Sequence, residues 1–176
     1  MENVFLIGFM GSGKSTIASY LAENYGMEII DMDQLIVERE GMAIPDIFAQ
    51  KGELYFRDVE TSLLIEIQGE QNKVVSCGGG VVLREKNIQA MKKSGQVVLL
   101  NAKPETILER VKDDDNRPLL RGNKNVQFIR DMMEKRQPKY EAAADLVIHT
   151  DGKSADEICK EIISKVKINK VEETGE

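Results

Sequence analysis

The chain has 176 residues, a length typical of a single domain with one substantial buried core. Hydrophobic residues make up 41% and charged residues 31% of it, which excludes a disordered or collagen-like chain. The formal net charge of −6 argues against general binding to nucleic acid or to anionic membranes. Any anion that binds to this protein must therefore be held by a local arrangement of groups.

Neither a membrane span nor a secretory signal is expected from the sequence. The longest apolar runs, at residues 4–7 and 97–100, are far shorter than a membrane crossing requires, and no basic region precedes an apolar stretch. Two cysteines and one histidine are too few for a zinc site, and a disulfide framework is not expected. These features predict a cytoplasmic protein.

Short apolar runs alternate with helix-like segments along the chain. Runs rich in β-branched residues are typical of parallel strands that are covered on both faces. The alternation predicts one doubly wound α/β domain without internal repeats. Strands are predicted at 4–7, 28–30, 74–76, 97–100 and 146–148, and helices at 15–25, 34–40, 45–69, 85–93, 104–112, 124–137 and 154–166.

Two stretches depart from this alternation. Residues 112–125 are polar and charged and contain a proline and a glycine, so we predict a mobile loop that could act as a lid. Residues 167–176 are polar and are predicted to fray.

Residues 8–15 match the phosphate-loop pattern G-x-x-x-x-G-K-[ST], between a predicted strand and a predicted helix. The glycines allow backbone N–H groups to surround phosphate oxygens at the start of the helix. Lys14 is expected to reach the β- and γ-phosphates, and the Ser15 hydroxyl to help hold Mg²⁺. The flanking elements disfavour the alternative, a chance glycine-rich turn.

The third predicted strand ends without a carboxylate that could serve a metal ion. The candidate carboxylates for a metal are therefore Asp31 and Asp33, at the end of the second predicted strand. Two residues apart in an extended segment, their side chains are expected to point the same way. One could support Mg²⁺ while the other accepts a proton from, or orients, an attacking hydroxyl. The alternative for Asp33 is a helix N-cap.

Arg57 and Arg136 are candidates for holding a carboxylate, because guanidinium groups match planar anions. Arg57 and Glu60 are three residues apart in a helical stretch, so a surface ion pair is the alternative interpretation for Arg57. Spacing alone does not decide between the two.

Three glycines, Gly78, Gly79 and Gly80, follow the third strand and indicate close approach of the backbone to a ligand, with a loose turn as the alternative. Cys77 before them is interpreted as a small buried residue and not as a nucleophile. Arg117 in the predicted lid is either an arginine finger or a solvated loop residue.

In combination, these motifs make the sequence resemble shikimate kinase over almost its whole length. The phosphate loop alone is shared by very many proteins, but this set in this order and spacing is highly specific. The matching elements are GFMGSGKST at 8–16, D-x-D at 31–33, GExxFRxxE at 52–60, GGG at 78–80, RPLL at 117–120 and R-x-x-x-Y at 136–140.

The resemblance implies a P-loop kinase fold, with three α/β/α layers and a five-stranded parallel sheet. It implies one domain over residues 1–176, with a core at 1–111 and 126–168, a substrate-binding region at about 32–60 and a lid at about 112–125. The implied reaction is ATP- and Mg²⁺-dependent phosphorylation of the shikimate 3-hydroxyl. A monomer that binds neither nucleic acid nor membrane is expected.

The resemblance also implies a role for each matching residue. Lys14, Asp33 and Arg117 would be catalytic, with Asp33 as base or orienter at the 3-hydroxyl. Ser15 would bind Mg²⁺, and Asp31 would support the metal through water. The residues implied for ATP are Gly11, Ser12, Gly13, Lys14, Ser15, Thr16, Arg110 (against adenine) and Arg117. Those implied for shikimate are Asp33, Arg57, Gly78, Gly79, Gly80 and Arg136.

Two positions depart from the family pattern, and two other functions stay open. Cys77 stands where threonine, serine or an apolar residue is usual, and residues 150–154 lack a proline that contacts adenine in some relatives. A gluconate- or nucleoside-monophosphate-type kinase on the same fold is one alternative. A nucleotide-binding switch without transfer activity is the other, suggested by the missing carboxylate after the third strand.

Overall fold

A computed structural model describes residues 2–111 and 125–173 of the chain, with side chains up to residue 166. Within this part, five strands form one parallel sheet in the order β2-β3-β1-β4-β5. β1 is therefore central, and its carboxyl end lies beside that of β3. The strands are β1 Asn3–Ile7, β2 Glu28–Asp31, β3 Lys73–Ser76, β4 Gly95–Asn101 and β5 Leu146–His149.

Helices cover both faces of the sheet in the described part of the chain. Each strand alternates its side chains between the two faces, so Val4 and Leu6 of β1 enter one apolar cluster while Phe5 and Ile7 enter the other. The fold is thus the expected three-layer α/β/α architecture around a five-stranded parallel sheet. The helices are α1 Lys14–Tyr25, α2 Met32–Glu40, α3 Ile44–Lys51, α4 Glu53–Ile67, α5 Glu85–Ser94, α6 Pro104–Val111, α7 Val126–Ala143 and α8 Ala155–Glu173, with a 3₁₀ turn at Val81–Leu83.

The predicted helix over residues 45–69 is wrong, because the structure has two helices there. Gly52 separates α3 from α4 with a φ of 87° and a ψ of 164°, a conformation that a helix cannot contain and that glycine adopts without strain. The apolar periodicity runs on through the break, which is why the pattern did not reveal it.

Two helices extend further than predicted. α7 continues through Pro138 to Ala143, although a proline usually ends a helix. α8 reaches Glu173, inside the segment predicted to fray.

Contacts between side chains join the three helices that lie between β2 and β3. Arg39 of α2 donates two hydrogen bonds to the Glu66 carboxylate of α4, at 2.7 and 2.8 Å. Glu40 of α2 accepts from Lys51 of α3 at 3.0 Å and from Tyr55 of α4 at 2.9 Å. The segment from α2 to α4 is therefore tied together by bonds among its own residues.

The predicted lid, residues 112–125, lies almost entirely outside the described residues, which resume at Asn125, the N-cap of α7. Among the described helices, none is both long and apolar enough to span a membrane.

Candidate active site

A cleft of about 600 Å³ opens at the carboxyl ends of the central strands. In open parallel α/β sheets this edge is where ligands bind. Motifs that are far apart in sequence meet there. The lining residues include Gly11, Gly13, Lys14, Ser15, Thr16, Asp31, Asp33, Cys77, Gly79 and Arg110.

The loop between β1 and α1 has a backbone that only glycines can form. Gly8, Gly11 and Gly13 have φ values of 149°, 79° and 97°. A Cβ at Gly11 would lie 2.6 Å from a methyl carbon of Val111, so this glycine is also fixed by packing. The start of α1 lines the cleft, and N–H groups at a helix N-terminus are suited to binding an anion.

Lys14 supplies a buried positive charge at this loop. Its ammonium group donates hydrogen bonds to the carbonyls of Gly8 at 2.7 Å and Phe9 at 3.1 Å. Arg110 of α6 donates to the carbonyl of Gly11 at 3.0 Å and lines the same cleft. Two cations thus flank the loop where nucleotide phosphates are expected to bind.

Oxygen donors suited to Mg²⁺ stand next to the loop. The Ser15 hydroxyl donates to Oδ2 of Asp31 at 2.9 Å and lies 3.3 Å from the Ser76 hydroxyl. Magnesium prefers oxygen ligands, of which the protein usually supplies only one or two. Among the described residues, no group of three or more His, Cys, Asp or Glu side chains could hold a metal ion. The residues present fit a magnesium ion that also binds nucleotide oxygens.

The expected geometry of the two aspartates is wrong. β2 ends at Asp31, whose Oδ1 accepts from the backbone N–H of Gln34 at 3.1 Å, so Asp31 is the N-cap of α2. Asp33 therefore lies in the first turn of that helix and not in an extended segment. Both side chains still line the cleft, because a strand end and the following helix start meet at the same edge.

Arg57 lies in α4 and forms an ion pair that is buried, so the surface ion pair considered from the sequence is wrong. Its Nη1 donates to Oε1 of Glu60 at 2.8 Å, and its Nη2 donates to Glu53 at 3.2 Å. Only 7% of Arg57 and 0% of Glu60 are exposed. Burial disfavours the guanidinium charge, but the two glutamates outweigh it and raise the pKa of Arg57.

Each residue of the triple glycine lies against a charged side chain. A Cβ at Gly78 would lie 2.6 Å from Oε2 of Glu60 and 3.0 Å from Oδ1 of Asp33. A Cβ at Gly80 would lie 2.5 Å from Cζ of Arg57. The glycines form a turn in which the Val81 N–H donates to the Gly78 carbonyl at 3.2 Å, and this turn packs closely against the charged side chains. The approach of this backbone to a ligand stays a prediction.

Arg136 reaches the same place from α7. It is buried, and the Cβ position of Gly79 lies 3.4 Å from its Nη1. One helical turn later the Tyr140 hydroxyl donates to the Gly79 carbonyl. Burial raises the pKa of Tyr140, so the phenol stays protonated and can keep donating. Tyr140 thus anchors α7 to the glycines beside Arg136.

The sequence interpretation missed the environment of Glu60. The pKa of this carboxyl is raised to about 7, chiefly by burial and in part by the Asp33 carboxylate, while Arg57 and Arg136 oppose the shift. The only sequence signal was its spacing from Arg57, which an exposed pair would share.

Cys77 is buried, and burial raises the pKa of its thiol far above the ordinary value, as expected for a packing residue. Arg117 and the RPLL motif at 117–120 lie outside the described residues.

Comparisons with known proteins agree on one family. The family model for shikimate kinase matches residues 10–167. The shikimate kinase of Persephonella marina is 46% identical over 95% of this chain and 100% of its own length. That of Sulfurihydrogenibium sp. is 44% identical over 95% of this chain and 99% of its own.

Solved structures agree with this assignment. The shikimate kinase of Acinetobacter baumannii in complex with shikimate superposes with a TM-score of 0.91, at 36% identity, over 97% of this chain and 95% of that one. A gluconokinase from Sinorhizobium meliloti has a TM-score of 0.63 at 16% identity, over 99% of this chain and 98% of that one, and so shares the fold alone. The chain therefore belongs to the shikimate kinase family.

Proposed function

We propose that this protein transfers the γ-phosphoryl group of ATP to the 3-hydroxyl of shikimate, giving shikimate 3-phosphate and ADP. The observation that carries the proposal is the pair of buried guanidiniums, Arg57 and Arg136, beside Asp33 and next to the phosphate loop. A small acceptor with a carboxylate and a hydroxyl could bind to these groups at once.

The donor side is the phosphate loop. Backbone N–H groups of residues 11–16 and the Lys14 ammonium would bind the phosphates of ATP, and Arg110 would lie against adenine. Ser15 and Asp31 would hold Mg²⁺. When bound, the ion would neutralise charge on the transferring and leaving phosphates.

The acceptor side is the charged cluster at the triple glycine. Arg57 and Arg136 would hold the carboxylate, and the backbone of Gly78, Gly79 and Gly80 would contact the ring. This arrangement would leave the 3-hydroxyl facing Asp33 and the γ-phosphate.

In the proposed reaction the 3-hydroxyl oxygen attacks the γ-phosphorus in line with the leaving ADP oxygen. A bond forms between that oxygen and phosphorus as the bond to ADP breaks, and the hydroxyl proton passes to Asp33 or is oriented by it. Lys14 would stabilise the charge that develops on the phosphoryl oxygens.

The family resemblance supports the remaining proposals on domain organisation. Residues 112–125 would act as a lid that brings Arg117 to the phosphates, and about 32–60 would be the substrate-binding region. A monomer is proposed because one chain supplies both the donor and the acceptor groups. The cytoplasm is proposed because both cysteines are free thiols and ATP is the donor.

ADP release from MgATP tests the proposal, measured with shikimate, gluconate, AMP or no acceptor. Release that requires shikimate is the expected result. Release with gluconate or AMP instead would assign the protein to another small kinase activity on this fold. Nucleotide binding without release on any acceptor would favour a switch.

A further inference from the structure

Glu60 is a fully buried ionisable side chain beside the proposed acceptor site, and the reaction above gives it no step. Its Oε1 accepts from Arg57 at 2.8 Å. Its Oε2 is also buried but has no hydrogen-bond partner among the described residues. One half of the carboxylate is therefore paired, while the other half carries a desolvation cost whenever the group is ionised.

Several elements surround Glu60 with charged or titratable groups. Two guanidiniums favour the ionised carboxylate, whereas the Asp33 carboxylate opposes it. Oε2 and an Asp33 oxygen both crowd the Cβ position of Gly78, at 2.6 and 3.0 Å. The groups that act on Glu60 are Arg57 of α4, Asp33 of α2, Arg136 and Tyr140 of α7, and Cys77 after β3.

These opposing influences leave Glu60 balanced between its two protonation states. Burial is the largest influence and raises its pKa to about 7, even with both arginines present. A small change in charge or hydration near Glu60 is therefore enough to change the fraction of this carboxyl that is protonated at neutral pH.

An acceptor carboxylate would supply that change. On Arg57 and Arg136 it would add a negative charge near Glu60 and compete for the same guanidinium donors. It would also remove water from the pocket. A nearby like charge and stronger desolvation both favour the neutral form of a carboxyl group.

We infer that binding of the acceptor carboxylate to Arg57 and Arg136 is coupled to uptake of one proton by Glu60, an inference that rests on the proposed carboxylate site. The proton comes from the solvent and binds to Oε2, the oxygen without a partner. Oε1 can accept from Arg57 in either protonation state, so Glu60 stays a positioning residue and does not touch the acceptor.

The coupling has a defined direction with pH. Well below pH 7, Glu60 is already protonated in the free protein, so binding takes up almost no proton. Above pH 7 the free protein must gain the proton on binding. The Kd for the acceptor therefore rises with pH, approaching about tenfold per pH unit while uptake is complete.

Isothermal titration calorimetry with shikimate, in buffers that differ in ionisation enthalpy, tests the coupling between acceptor binding and proton uptake. The slope of the observed enthalpy against the buffer's ionisation enthalpy counts the protons taken up. We expect a slope near zero at about pH 6 and approaching one proton at about pH 8.

The variant Glu60→Gln should bind shikimate at both pH values with a slope of zero, since its amide oxygen can still accept from Arg57. Glu66→Gln is the matched control on the exposed side of α4 and should behave like the unmodified protein.

The outcomes separate this inference from the proposed function. Binding without proton uptake at about pH 8 would overturn the inference alone, as would uptake that persists in Glu60→Gln. Absence of any shikimate binding would overturn the proposed function and the inference with it. If Glu60→Gln does not fold, an infrared difference spectrum of the unmodified protein decides. A protonated-carboxyl band must appear on acceptor binding above pH 7, and its absence contradicts the inference.

Discussion

The Ser15 hydroxyl donates a hydrogen bond of 2.9 Å to Oδ2 of Asp31, and so connects the first turn of α1 to the end of β2. The other Asp31 oxygen caps α2 through Gln34. Both proposed metal-binding side chains are therefore held by backbone elements that converge on the phosphate loop, which limits the reorganisation needed to bind an ion.

Asp31→Asn is expected to raise the Mg²⁺ concentration needed for half-maximal activity by about 10- to 100-fold, because an amide lacks the charge that supports the metal. Titration of activity with Mg²⁺ at saturating ATP and shikimate measures this half-maximal concentration. Asp131→Asn, on the exposed surface of α7, is the control and should leave the requirement unchanged. An unaltered Mg²⁺ requirement in Asp31→Asn would restrict Asp31 to capping the helix.

Arg57→Ala is expected to raise the KM for shikimate by about 100-fold, because the loss of charge-assisted hydrogen bonds to the carboxylate costs about 3 kcal/mol. The KM for ATP should stay within about twofold, since the role proposed for Arg57 concerns the acceptor alone. Initial rates, measured while the concentration of one substrate is varied at a time, give the KM for shikimate and the KM for ATP. Arg39→Ala, which removes an exposed ion pair between α2 and α4, is the control. An unchanged KM for shikimate would contradict the carboxylate role.

Asp33→Asn is expected to lower kcat by about 100- to 10,000-fold, the usual range for loss of a general base. MgATP should still bind with near-normal affinity, because the phosphate loop is untouched. Single-turnover kinetics and an ATP-binding titration separate the two effects. Near-normal turnover would leave Asp33 as a residue of the first turn of α2 and nothing more.

Gly80→Ala is expected to raise the KM for shikimate by at least about tenfold, because its Cβ would lie 2.5 Å from Cζ of Arg57 and displace the guanidinium. Gly69→Ala is the matched control, since a Cβ there would lie 3.8 Å from the nearest atom, the Glu66 carbonyl oxygen. Kinetics and thermal unfolding of both variants check this. Equal KM values for the two would show that Arg57 adjusts without loss of function.

Glu60 is expected to make stability depend on pH in the acceptor-free protein. Its pKa is about 7 when folded and near the ordinary 4.5 when unfolded, so between these values the folded state binds more proton. The free energy of unfolding therefore falls as pH rises through this window, by about 3 kcal/mol in total. Urea unfolding at several pH values, with Glu60→Gln subtracted as reference, measures it. A difference that stays constant with pH would contradict the raised pKa.

The sheet and the phosphate loop could be predicted because their signals are local. Each strand is a continuous apolar run, and the phosphate loop is one uninterrupted stretch whose glycines and Lys14 are adjacent in sequence. The triple glycine is also a local signal, and the structure packs it closely against charged side chains, while its contact with a ligand stays a prediction.

Other features depend on what packs against a residue, which spacing does not encode. The burial of Glu60 results from α2, α7 and the triple glycine converging on α4. The prediction of an extended segment at Asp33 is wrong because the strand ends at Asp31 and a helix begins at the next residue. The break at Gly52 left no trace in an apolar pattern that runs through it.

The contacts among α2, α3 and α4 make the segment between β2 and β3 a continuous unit with its own internal bonds. It supplies Asp33, Arg57 and Glu60, yet the bonds through Arg39 and Glu40 hold it together without using the phosphate loop. Under the proposed function, replacing this one continuous stretch would exchange Asp33, Arg57 and Glu60 together, while Arg136, the triple glycine and the phosphate loop stay as they are.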